Sequence, residues 1–172
     1  MKKNFLLILL SFVTTATIWA QKEDNEGTLT KIGEAVPNFS FYITENKQEN
    51  IENYKGKLTL INLFATWCPP CNMELPEMQK EIWEKHKDNP KFALLVFGRE
   101  ENWEKLNKFK AEKGFTFPIL PDVSRGVFGK FATKSIPRNI LIDENGTIIY
   151  QSIGYMPDEF KKLQKIIDKH LK

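Results

Sequence analysis

Cysteine is scarce in this chain: 172 residues contain two, Cys68 and Cys71. A scaffold held by several disulfides is therefore excluded, since two cysteines close at most one intramolecular bridge. Histidine is equally scarce, with only His86 and His170. A thiolate zinc site needs about four ligands, and neither histidine has a second ligand at metal-binding spacing. Both are read as surface residues on helices, and no metal or other cofactor is expected. Excess charge of one sign is missing too. The formal balance is +3, but setting aside Lys2 and Lys3, which precede an apolar run, leaves 23 basic against 22 acidic side chains. With no basic block, nucleic acid is excluded as a partner. Runs such as KKLQK read as the wet face of a helix. Low-complexity tracts are also absent. With 13 Phe and 4 Trp to bury, a disordered chain is excluded, and the length suits one domain.

Long apolar runs are missing beyond the first twenty residues, MKKNFLLILLSFVTTATIWA. There, two lysines precede an apolar run from Phe5 to Val13, and small and polar residues lead to Ala20. That layout is a secretory signal peptide, with cleavage expected after Ala20, although Ile18 is larger than the residue preferred there. The rival is an uncleaved anchor. A spanning helix needs about 20 mostly apolar residues, and Thr14, Thr15 and Thr17 shorten this one. Cleavage is favoured over anchoring, and the protein is expected in the periplasm or cell envelope. Residues 21–36 are charged and unpatterned and read as a mobile leader; 37–172 are left as the domain.

PNFSFYI opens the domain as an extended edge segment, followed by a turn at TENKQEN. LTLINLF, 58–64, is continuous apolar sequence of strand length and predicts a central buried strand. Leu75, Met78, Ile82 and Trp83 recur at helical spacing and predict a helix over 69–87, which Pro76 should kink. FALLVFG, 92–98, predicts a second buried strand. Trp103, Leu106 and Phe109 mark another helix, and FPIL a short strand. RNILID pairs with TIIYQS through the hairpin signal DENG. Phe160, Leu163, Ile166, Ile167 and Leu171 mark a closing amphipathic helix. The order predicts one mixed α/β domain.

The pair in ATWCPPCNMELP falls between a buried strand and a helix start. Three uses stand open: redox pair, half of a metal site, or structural staple. A staple gains most by closing a long loop, and this loop is trivial. At a helix start, free N–H groups and the helix dipole stabilise a thiolate. Cys68 is read as the exposed nucleophile, and Cys71, one turn on, as the buried resolver of a mixed disulfide. Pro70 rigidifies the turn, while Pro69 stiffens it further and removes an amide donor.

FATWCPPC, with Pro137 of SIPRNILID 66 residues beyond Cys71, resembles the thioredoxin superfamily, and within it the exported thiol–disulfide oxidoreductases of the TlpA/ResA type. The resemblance implies a thioredoxin-like fold: a central mixed sheet flanked by helices, with an N-terminal extension and an inserted αβ unit around 98–122. It implies a redox disulfide Cys68–Cys71, a cis peptide at Pro137 after Ile136, a kinking proline at Pro76 and a proton-accepting role for Glu74. Trp67, Pro69, Pro70, Ile136, Pro137 and Arg138 would meet the substrate, and Asn62 is expected as a buried polar partner near the site. Two positions depart from the family pattern: Ser135 stands for Gly, and Arg138 for Thr. Arg138 is read as pointing to solvent from the strand start, or else as lying beside the cysteines.

The activity implied is protein-disulfide reduction in the envelope, for example of apocytochrome c. Disulfide-containing envelope proteins are the expected partners, a CcdA- or DsbD-like membrane protein the electron donor, and the chain a monomer. A disulfide oxidant or isomerase shares the chemistry. A Sco-type copper chaperone has wider cysteine spacing and a distal histidine, and a peroxiredoxin places its cysteine after Pro-x-x-x-Thr; neither pattern is present.

Overall fold

The computed structural model describes residues 27–172; the expected signal peptide and residues 21–26 lie outside the described part. The elements are β1 (Ser40–Thr44), β2 (Lys47–Asn50), a 3₁₀ turn (Ile51–Tyr54), β3 (Leu58–Phe64), α1 (Pro69–Met78), a π segment (Gln79–Trp83), α2 (Glu84–His86), β4 (Phe92–Arg99), α3 (Trp103–Lys113), β5 (Ile119–Asp122), α4 (Phe128–Phe131), β6 (Arg138–Ile142), β7 (Ile148–Ile153) and α5 (Pro157–His170).

Five strands form the central sheet in the order β5-β4-β3-β6-β7. β3, β4 and β5 run parallel, and β6 and β7 are antiparallel to their neighbours. All seven residues of β3 are buried, as its unbroken apolar pattern predicts for a strand covered on both faces. Leu60 and Phe64 pack with Leu75, Met78, Leu106, Phe109, Phe160 and Leu163 from α1, α3 and α5. Ile61 and Leu63 turn the other way, onto Phe39, Phe41, Phe128 and Phe131. The inserted αβ unit is α3 with β5 at the sheet edge. Gly98 permits its close packing, because a Cβ there would collide with Leu106 Cδ2.

Three details differ from the sequence-based expectations. The turn at TENKQEN is shorter, since Lys47–Asn50 pair with β1 as a separate two-stranded sheet. The helix over 69–87 changes winding at 79–83. Pro76 lies inside α1, and three residues later the ladder widens, with Glu84 N–H bonding to Gln79 O. Pro76 cannot donate to the carbonyl four residues back, and inserted wide turns are a usual way for a helix to absorb such a defect. Finally, the described part of the leader, residues 27–36, is tied to the domain. Thr28 and Ala35 form bridges to Ala132 and Thr147, and Thr30 Oγ1 donates to Gln151 Oε1 at 2.8 Å. These contacts are to residues more than 90 positions away, which local patterning does not reveal.

Candidate active site

β3 ends at Phe64, and the chain turns through Ala65–Trp67 into Cys68, the N-cap of α1. Pro69 and Pro70 fill the first two helical positions, so two of the N–H groups that ordinarily point out of a helix start do not exist here. The first available one, Cys71 N–H, points at Cys68 Sγ at 3.3 Å. Cys68 and Cys71 are joined in a disulfide, with their Cα atoms 5.3 Å apart. Both are buried, Cys68 at 3% exposure and Cys71 at 0%. The expected exposed nucleophile is therefore nearly covered in this oxidised state.

The turn is held from both sides. Glu101, 3% exposed, accepts from Thr66 N–H at 3.0 Å and Thr66 Oγ1–H at 2.6 Å. Lys105 Nζ balances that carboxylate at 2.7 Å. Asn72 Nδ2 donates to the carbonyls of Thr66 and Cys68, at 2.9 and 3.1 Å. The Thr66 amide, hydroxyl and carbonyl and the Cys68 carbonyl are thus all engaged, while Asn72 Oδ1 has no hydrogen-bond partner among the described residues.

Opposite the cysteines lies the loop before β6. The Ile136–Pro137 peptide is cis, as the resemblance implied, and Ile136 O lies 3.9 Å from Cys68 Sγ. Pro137 O accepts from Gly154 N–H at 2.8 Å, tying the loop to the end of β7. Ser135 adopts φ 64, the left-handed region where the family's glycine would sit without strain. Arg138 does not point to solvent: it is 3% exposed. Its guanidinium donates to Lys134 O at 2.9 Å, to Ser135 O at 3.0 Å and to Thr28 Oγ1 at 2.9 Å. It braces the loop that carries Ile136 and Pro137 and joins it to the described start of the chain. A charged fork can be buried at a strand start because backbone carbonyls supply its acceptors.

Glu74 is 1% exposed and lies three residues after Cys71 on α1, a spacing that puts side chains on one helix face about 5–6 Å apart at Cβ. Asn62 Nδ2 donates to its Oε2 at 2.9 Å, and Asn139 Nδ2 donates to its Oε1. The two asparagines are cross-strand partners, and Asn62 Nδ2 also reaches Asn139 Oδ1 at 2.9 Å. Burial pushes the Glu74 carboxyl up from 4.5 to about 7, against the downward pull of the Asn139 and Asn62 amides. Asn62 Oδ1 has no hydrogen-bond partner among the described residues. If the Asn62 amide turns over, that oxygen can accept a proton carried by Glu74, so the pocket accommodates both protonation states. A carboxyl that titrates near neutrality one helical turn from Cys71 is suited to take and return a proton there.

Trp67, Pro69 and Pro70, chain neighbours of the cysteines, are exposed, and Met73, two residues beyond Cys71, is an apolar side chain 63% exposed. Sequence reasoning named Asn62 and Glu74 but missed Asn139, Glu101 and Asn72. Asn139 carried a usable signal: a lone amide in the otherwise apolar NILI run. Glu101 carried none, for it meets Thr66 only through the pairing of β3 with β4.

A disulfide at a helix N-cap, faced by a cis-proline loop and with a buried carboxyl one turn further on, belongs to a thiol–disulfide oxidoreductase of thioredoxin-like fold. The chain belongs to the Redoxin family, whose model matches residues 31–167. It is similar to thiol-disulfide oxidoreductase ResA of Bacillus cereus, at 30% identity over 178 residues, 96% of this chain and 99% of that protein. Thioredoxin-like protein YneN of Bacillus subtilis is 29% identical over 166 residues, covering 96% and 95% of the two chains. Among solved structures, a Bacteroides thetaiotaomicron protein described as a candidate protein disulfide isomerase superposes with a TM-score of 0.80 at 37% identity. That match covers 84% of this chain and 92% of the other. StoA of Bacillus subtilis superposes at 0.62 with 27% identity, covering 76% and 97%.

Proposed function

We propose that this oxidoreductase is exported and reduces disulfides of envelope proteins, apocytochrome c before haem attachment being one such substrate. The observation that carries the reading is Glu74, one turn beyond Cys71 on the same face of α1 and buried against Asn62 and Asn139. In the reductive direction the Cys68 thiolate attacks a substrate sulfur. The substrate S–S bond breaks, and one substrate sulfur leaves as thiolate and is protonated. Cys71 then passes its proton to Glu74 and attacks Cys68 Sγ. The mixed disulfide breaks, the second substrate sulfur leaves and takes up a proton, and the enzyme holds the Cys68–Cys71 disulfide. Two electrons pass from the enzyme dithiol to the substrate. A dithiol protein of CcdA or DsbD type at the membrane returns them, and the enzyme works as a monomer behind a cleaved signal peptide. A base for Cys71 speeds the second attack, the step on which release of a reduced substrate depends.

The similarity to the Bacteroides thetaiotaomicron structure favours isomerisation as the second reading. A redox titration of the Cys68–Cys71 couple separates the two. A midpoint well below the glutathione range supports a reductant, whereas one near about −120 mV, as in DsbA, overturns that reading. Trapping with Cys71→Ser should capture substrate on Cys68. Capture on Cys71 in Cys68→Ser would reverse the roles.

A further inference from the structure

Trp67 adjoins Cys68 with 59% of its surface exposed. A side chain so open samples several rotamers unless something orders it. The Arg99 guanidinium carbon lies 5.4 Å from the centroid of the Trp67 ring and 5.1 Å from that of Phe128. Both are within the reach of cation–π attraction, about 6 Å. The lower ring is packed into the core: Phe128 is fully buried, and the Asp122 carboxylate accepts from Val127 N–H and Phe128 N–H at 2.9 and 2.8 Å. Arg125 also stacks on Phe128, at 4.9 Å, and donates to Thr133 O at 2.7 Å. The Arg99 side chain is only 15% exposed, with Glu100 Oε2 3.3 Å from its Nε. That Nε makes no hydrogen bond among the described residues, so the guanidinium is mostly covered and held chiefly by the two rings, and what this column offers to solvent is the indole.

We propose that Arg99 is a positioning residue that determines specificity. It holds Trp67 as a flat apolar platform beside Cys68, on which an apolar side chain flanking the cysteine of a polypeptide disulfide is laid. The proposal rests on polypeptides being the substrates. A small polar disulfide places nothing on the platform and gains nothing from it.

Two probes test this: reduction of insulin and reduction of bis(2-hydroxyethyl) disulfide, by wild type, Arg99→Gln and Arg99→Lys. For Arg99→Gln, the KM for insulin rises about three- to tenfold, the range expected for loss of a partly desolvated cation–π contact. Its rate with the small disulfide changes less than twofold. Arg99→Lys keeps the charge without the planar stack and falls between. Nitrogen-15 relaxation of the Trp67 indole N–H shows a lower order parameter in Arg99→Gln. An unchanged insulin KM, or an equal loss with both probes, overturns the proposal. A wild-type protein active on the small disulfide but not on insulin would instead remove polypeptides as substrates. The indole relaxation would then still decide whether Arg99 holds Trp67.

Discussion

Asn62 and Asn139 stand in register across β3 and β6, and both donate to the one carboxylate of Glu74. Their placement makes a titrating acid inside a sheet–helix interface tolerable. Desolvation favours the neutral form, the two amides favour the anion, and the balance lies near neutral pH.

That balance predicts how stability depends on pH. Glu74 titrates at about 7 in the folded protein against an ordinary 4.5, so between those values the folded state binds more protons than the unfolded one. Stability contributed by the protonated acid is then lost as pH rises from about 4.5 to 7, by up to about 3 kcal/mol for a shift of this size. Urea unfolding of the oxidised protein at pH 5 and pH 8 should show the loss, and Glu74→Gln should flatten it.

Activity should respond to the same substitution in the opposite sense. Glu74→Gln has no base for Cys71, so resolution of the mixed disulfide slows about 100-fold at pH 7.5, the lower end of the usual general-base range. The acid limb near pH 7 in the wild-type profile of insulin reduction disappears. A variant with an unaltered profile would show that Cys71 loses its proton elsewhere.

Asn139→Leu removes one donor from the carboxylate. Hydrogen bonds to charged groups contribute about 1.5–3 kcal/mol, so the Glu74 titration moves upward by about one to two pH units. The acid limb of the rate profile should follow it. Carbon-13 shifts of the Glu74 carboxyl measure the same displacement directly.

Glu101→Ala leaves Thr66 N–H and Oγ1–H without their acceptor and Lys105 without its partner. The expected cost is about 2–4 kcal/mol in urea unfolding. Amide exchange at Thr66 should quicken before global unfolding does, because the bond lost is local.

Arg138→Thr installs the residue usual in the resembling family. It deletes donors to Lys134, Ser135 and Thr28 and should cost about 2–4 kcal/mol. Arg138→Lys should recover little of that, since one ammonium cannot reproduce the fork that spans all three groups.

The elements were largely legible because β3 and β4 are unbroken apolar runs and α5 keeps one apolar stripe along its length. The Cys68–Cys71 turn was legible because strand, prolines and helix are contiguous in the chain. What escaped depends on pairing at a distance. Lys47–Asn50 are polar and become a strand only through β1. Glu101 is brought to Thr66 only when β4 lies beside β3. Arg138, which default solvation places outside, is drawn in by carbonyls of a loop whose path the sequence does not display. Glu74 is the intermediate case: its place on the helix was readable, its two amide partners only by half.

The disulfide itself offers a visitor almost nothing to touch. With Cys71 at 0% and Cys68 at 3% exposure, the exposed side chains nearest to the bridge along the chain are Trp67, the two prolines and Met73. On the proposed function, a visiting disulfide would be met first by carbon, and sulfur would meet sulfur only after the visitor had already been accepted.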